Sequence, residues 1–183
     1  MSDAEFIYQV ILSIELIWFI LFFLILMHEY GHAIAAKFLG MEVEKLSVGW
    51  PIFYRIKVRG LHYEFGAIPV FGFVMVPLLP NSSLKDRAVF AAAGPVASAL
   101  LGFFLLAFSS GSSGDLFGIA GHASLTLAAV SLIPLPPMDG WPIAQYIAYR
   151  LGYNVPNSSA KLTSLGILSI AISVLVVLEF GGL

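Results

Sequence analysis

Residues 6–27 form an almost unbroken apolar run, densest from Leu16 to Met27, and it ends directly on His28-Glu29-Tyr30-Gly31-His32. At about 1.5 Å per residue, a helix of this length covers the roughly 30 Å hydrocarbon core of a bilayer. A bilayer leaves the backbone only helices or closed barrels to choose from. Further apolar runs lie at 88–108, 119–133 and 162–180; the third is short and stops at Pro134, Pro136 and Pro137, which cannot continue a helix. The composition agrees, at 59% hydrophobic and 11% charged, whereas a water-facing surface usually needs about 25% charged residues. The chain is therefore expected to be an all-α polytopic membrane protein with about four spans, forming a single domain over residues 1–183. A cleaved signal peptide is not expected, because the first run lacks a basic start and a small-residue cleavage site and is too long.

Between the first two spans, residues 43–77 carry β-branched and aromatic residues broken by Gly49, Pro51, Gly60, Gly66, Pro69 and Gly72. This pattern predicts a small membrane-associated sheet of a few short strands at the cytoplasmic face. Ser83 to Asp86 resembles a capping box ahead of the second span. The serine- and glycine-rich stretch at 109–114 suits a short external turn.

Seven of the nine Lys and Arg residues, Lys37, Lys45, Arg55, Lys57, Arg59, Lys85 and Arg87, lie between the first two spans, and Arg150 and Lys161 lie between the third and fourth. The positive-inside tendency then places those two segments in the cytoplasm and both termini outside. The formal net charge of −2 offers nothing to a nucleic acid. With no cysteine in the chain, any metal must be held by histidine and carboxylate. No sequence feature reports the oligomeric state.

His28 and His32 are four residues apart, so on a helix both imidazoles lie on one face and can meet one metal ion. Glu29, between them, can reach a water at that metal as a general base. The bland alternative is three solvated side chains at the end of a span. Against it, ionisable groups at membrane depth are costly unless they serve a purpose. A catalytic zinc site usually takes three protein ligands and leaves one position open. His62 falls in the expected strands, and His122 lies near the external end of the third span. Asp139, in Ile133-Pro134-Leu135-Pro136-Pro137-Met138-Asp139-Gly140, is better placed.

Depth supports that choice. His28 lies about 33 Å along the first helix from its external end. The third span descends about 22 Å before its prolines, and five extended residues at about 3.1 Å each carry Asp139 to a similar level. Irregular backbone at that depth is tolerated where it lines protein or a water-filled cavity. The alternative for this element is a plain turn at the bilayer surface.

Four features, in this order, make the chain resemble the site-2 protease family of intramembrane zinc metalloproteases. They are the HExxH at 28–32, the Ser47-Val48-Gly49 turn, the Ala93-Gly94-Pro95 opening of the second span and the Pro-x-Pro-Pro-x-Asp-Gly element at 134–140. HExxH alone is shared by unrelated metalloproteases; followed across spans by the proline-Asp-Gly element it is far more specific. The match runs from about residue 20 to 145, with no insert suited to a PDZ module and no extension suited to a CBS module, so the chain resembles a minimal catalytic core. The resemblance implies one Zn2+ per chain held by His28, His32 and Asp139, with Glu29 as general base. It implies hydrolysis of a peptide bond in or next to a transmembrane segment of a substrate protein, in the cell membrane, with the site towards the cytoplasmic side.

Two positions depart from the family. Where relatives commonly have asparagine, this chain has Ser98 and Ser131. The second asparagine is the one implied to hold the substrate backbone, and in its place the Ser131 hydroxyl can donate one hydrogen bond but not an amide's donor-and-acceptor pair. Gly94, Ser98 and Gly102, spaced by four, read as a small-residue seam for close helix packing. Gly72 and Phe73, in the strand-like stretch 63–76, are candidates for pairing with an extended substrate. The aromatics Trp18, Phe19, Phe22 and Phe23 read as lipid-facing and packing surface, and Glu15 sits mid-span without an evident partner. Two other functions fit the same residues: a family member that grips metal and membrane segments without cutting, and an ion transporter with histidines on its path.

Overall fold

The computed structural model of the chain describes residues 2–112 and 115–153. Its elements are α1 (Asp3–Phe38), β1 (Lys45–Val58), β2 (Leu61–Met75), a 3-10 turn (Leu79–Asn81), α2 (Leu84–Ala107), α3 (Leu116–Ser131) and α4 (Gly140–Arg150). The expected fourth span at 162–180, with Lys161 before it, lies outside the described residues. Of the described helices, α1 and α2 are long and apolar enough to cross a membrane, and α3 is a shorter apolar helix.

α1 begins at a reciprocal cap: Ser2 Oγ accepts from the Glu5 amide and the Glu5 carboxylate accepts from the Ser2 amide. Its 36 residues continue past the apolar run to Phe38, so the HExxH lies inside the helix and not at its end. The first half is exposed. Burial begins at Leu24 and takes in Ile25, His28, Glu29, Gly31, His32 and Ala33.

The segment after α1 forms two long bent strands, not several short ones. The second half of β1 makes a hairpin with the start of β2, from Ile52↔Gly66 to Val58↔Leu61. Residues 45–48 are flanked on both sides by β2, with Leu46 opposite both Tyr63 and Val74, and Val48 opposite both Phe65 and Gly72. This requires β1 to turn sharply at Gly49, whose φ of +80° only glycine adopts readily. Leu46 and Val48 project to one face, fully buried, and pack with Ile25 and Ala33 of α1. The sheet runs along α1 instead of staying at its end. Tyr63 meets Tyr30, Phe65 meets Phe22, and Trp18 Nε1 donates to Ala67 O at 2.6 Å. Trp18 and Phe22 are therefore partly covered by the sheet, whereas Phe19 and Phe23 face outward as expected.

α2 is the centre of the helical packing and touches α1, α3 and α4. Ser83 caps it, accepting from the Asp86 amide. Small residues let the helices approach: Gly31 of α1 lies against Ala93 and Ala97, and Gly102 lies against Gly121 and Leu125 of α3. In lipid, such contacts replace the hydrophobic drive that water supplies to a soluble core. α4 was not anticipated; its residues were expected only as part of a cytoplasmic-face segment. Pro142 falls in its first turn, where the missing amide costs nothing.

Candidate metal centre

The packed half of α1 presents His28 and His32 on one face, one turn apart, with Nε2 atoms 3.2 Å from each other. Asp139 arrives from the break between α3 and α4. Its Oδ2 lies 3.0 Å from His28 Nε2 and its Oδ1 lies 3.4 Å from His32 Nε2. These three side chains form the one group of metal-ligating type among the described residues, with ligand atoms within 4.8 Å of one another. Four bonds of about 2.0–2.1 Å to a tetrahedral ion separate neighbouring ligand atoms by about 3.3 Å, so the donor set fits one such ion.

Asp139 stands at the N-cap of α4, a position where aspartate commonly binds a helix amide, yet its side chain makes no cap hydrogen bond. The carboxylate goes to the imidazoles instead. Both outer ring nitrogens are also occupied by α2: His32 Nδ1 donates to Phe90 O at 2.8 Å, and His28 Nδ1 lies 2.9 Å from Ser98 Oγ. The Phe90 ring stacks on His32, with centroids 4.9 Å apart. Gly94 lies between these two contacts, where a Cβ would collide with Nε2 of both histidines. The expected seam is thus divided. Gly102 serves the approach of α3, while Gly94 and Ser98 bear directly on the imidazoles, which their spacing alone does not reveal.

Glu29 is buried and, among the described residues, has no hydrogen-bond partner. It lines a cavity of about 440 Å³ together with His28, His32, Asp139 and residues 69–74 of β2. Gly72 lies so close that a Cβ there would meet Glu29 Cγ and Oε1. Phe73 and Ser131 line the same cavity. The Ser131 hydroxyl donates to Ala128 O of its own helix at 3.0 Å, so its donor is already engaged. His122 bonds Gly118 O within α3, and neither it nor His62 joins the cluster. Glu15 stays exposed.

A family model for peptidase family M50 matches residues 16–115, more than half of the chain. A Chlamydia trachomatis protein provisionally named as a zinc metalloprotease is 36% identical over 115 residues, covering 49% of this chain and 19% of its own length. The regulator of sigma-E protease RseP of Escherichia coli is 31% identical over 150 residues, covering 70% of this chain and 33% of its own length. The chain thus spans roughly a fifth to a third of these relatives. Among solved structures, the site-2 protease from Methanocaldococcus jannaschii shares the fold at a TM-score of 0.55 and 22% identity, covering 93% of this chain and 82% of that one. With its HExxH inside the matched region, the chain belongs to peptidase family M50.

Proposed function

We propose that this chain is an intramembrane zinc metalloprotease that hydrolyses a peptide bond within or beside a transmembrane segment of a substrate protein. The observation that carries the reading is the convergence of His28, His32 and Asp139, from distant parts of the chain, on one edge of a cavity that also holds Glu29. Each has a role in it: the two histidines and the aspartate hold one zinc, and Glu29 is the general base. Zinc bound there supplies Lewis acidity towards a water molecule and the scissile carbonyl. Glu29 takes the proton of the attacking water and delivers it to the leaving amide nitrogen. Among the described residues no group hydrogen-bonds its carboxylate, which leaves it free for that transfer.

A helical substrate hides its carbonyls and must open before attack. Residues 72–75 pair with 45–48 on one side, and no described strand pairs with their other edge. That edge, at Gly72 and Phe73, can take an extended substrate as an added strand. Ser131 then contributes cavity wall and an acceptor oxygen, since its donor is engaged. The protein is a single multi-pass domain over 1–183, with four spans, the basic segments and active site towards the cytoplasm, and both termini outside. It sits in the cell membrane, and its partners are the bilayer and a membrane-protein substrate.

Glu29→Gln tests the reading in the purified chain, with a model transmembrane substrate and zinc content measured together. Cleavage falls by about 10²–10⁴-fold while zinc stays bound. A function that survives Glu29→Gln would instead identify a non-cutting binder. Metal or proton flux in sealed vesicles, without cleavage, would identify a transporter.

A further inference from the structure

The Nε2 atoms of His28 and His32 face the centre, so to offer both Nε2 lone pairs to a metal ion each ring must carry its proton on Nδ1. For His32 the backbone settles this, because Phe90 O can only accept a hydrogen bond. His28 has no such carbonyl. Its Nδ1 faces Ser98 Oγ, and a hydroxyl can either donate or accept. Ser98 is 0% exposed, so no solvent competes for that contact. On the far side Ser124 of α3, also 0% exposed, donates its hydroxyl to Ser98 O at 2.7 Å, a bond to the backbone that does not involve the Ser98 hydroxyl. One turn earlier, Gly94 lets the α2 backbone come up against the imidazoles. The close approach of α2 to α1 therefore determines where the Ser98 hydroxyl meets His28.

We propose that Ser98 is a positioning residue of the metal centre: its hydroxyl accepts the Nδ1 proton of His28, holding that ring in the Nδ1–H form with Nε2 aimed at the zinc position. This rests on the metal-centre reading above. Ser98 touches neither the metal position nor the substrate cavity, and acts only through His28. Partners that orient a ligating histidine in this way typically contribute 10–100-fold in metal affinity.

The test uses the full chain in detergent. Zinc affinity is measured by competition with a chromophoric chelator, and the imidazole Nδ1–H groups are read from ¹H–¹⁵N spectra of the zinc-saturated protein labelled at its four histidines. The His62 and His122 signals are assigned by their loss in His62→Gln and His122→Gln, and His28 is told from His32 by its contact with Ser98 instead of Phe90. Ser98→Ala weakens zinc binding about 10–100-fold and moves the His28 Nδ1–H signal away from its hydrogen-bonded position. Ser98→Cys keeps the volume with a weaker acceptor and gives a smaller change in the same direction, which covers the case in which Ser98→Ala does not fold. Ser124→Ala, which removes an equally buried hydroxyl bonded only to backbone, leaves both readouts at wild-type values. Unchanged affinity and His28 Nδ1–H signal in Ser98→Ala and Ser98→Cys overturn the proposal. So does an equal weakening in Ser98→Ala and Ser124→Ala without a change in that signal, which would mean packing alone. A wild-type chain that binds no zinc overturns the metal-centre reading itself and is distinguishable from both.

Discussion

Asp139 directs its carboxylate to His28 Nε2, 3.0 Å away, while standing at the N-cap of α4 without capping it. A residue with a local use for its side chain has surrendered it to a partner 111 positions earlier in the chain. Asp139→Ala is therefore expected to reduce zinc content from about one ion per chain to a small fraction. Chelation lowers the stability of the wild-type protein by about 4 kcal/mol when zinc had been a thousandfold above its dissociation constant. Asp139→Ala shows almost no response to chelator. Metal analysis and thermal unfolding with and without chelator measure both effects.

Gly94→Ala places a methyl group where both imidazole Nε2 atoms lie. α2 must retreat or the rings must turn, at a cost of about 1–3 kcal/mol in an interior that cannot accept added volume. The expected result is loss of zinc together with a lowered unfolding temperature. Gly102→Ala, at the α2–α3 contact, lowers the unfolding temperature but keeps the zinc.

Gly72→Ala acts on Glu29, the general base of the proposed reaction, instead of the metal. Its new methyl meets Glu29 Cγ and Oε1 at 2.7 Å, closer than real side chains approach, so the carboxylate shifts. A displacement of that order costs up to about 10²-fold in rate. Zinc content stays at the wild-type level, and the comparison of cleavage rate with metal content separates this variant from Gly94→Ala.

The turn between α2 and α3 should respond to acid. A hydrogen bond from the Ser109 hydroxyl, aided by the amides of Ser110, Gly111 and Phe117, holds the Asp115 carboxyl below the usual 3.8 against a smaller opposing effect of desolvation. Because the folded value is depressed, the unfolded chain takes up a proton first as pH falls. The contribution to stability is then complete above the ordinary carboxylate range and is lost as pH drops through the lower folded value. Amide hydrogen exchange at Ser110 and Phe117, referred to the intrinsic rate at each pH, is expected to lose protection across that window. Asp115→Asn removes this pH dependence.

The sequence by itself determined that the first two helices are long and apolar enough to cross a membrane, because unbroken apolar runs leave the backbone no other stable form in lipid. It also determined the pairing of His28 with His32, since four residues on a helix return to the same face. The choice of Asp139 rested on matching depths along two separate segments, a coarse measure that depends only on helical rise and chain extension. The long bent strands were not legible, because a strand that doubles back at Gly49 has the same local pattern as two short ones. α4 was hidden in a mixed segment whose fate depends on packing against α2. Only the tertiary structure decided what Ser98, Gly94 and Gly72 do. Each is a small residue, and a small residue has little chemistry of its own. Its meaning comes from what the fold brings against it: His28 at Ser98, both imidazoles at Gly94, and Glu29 at Gly72.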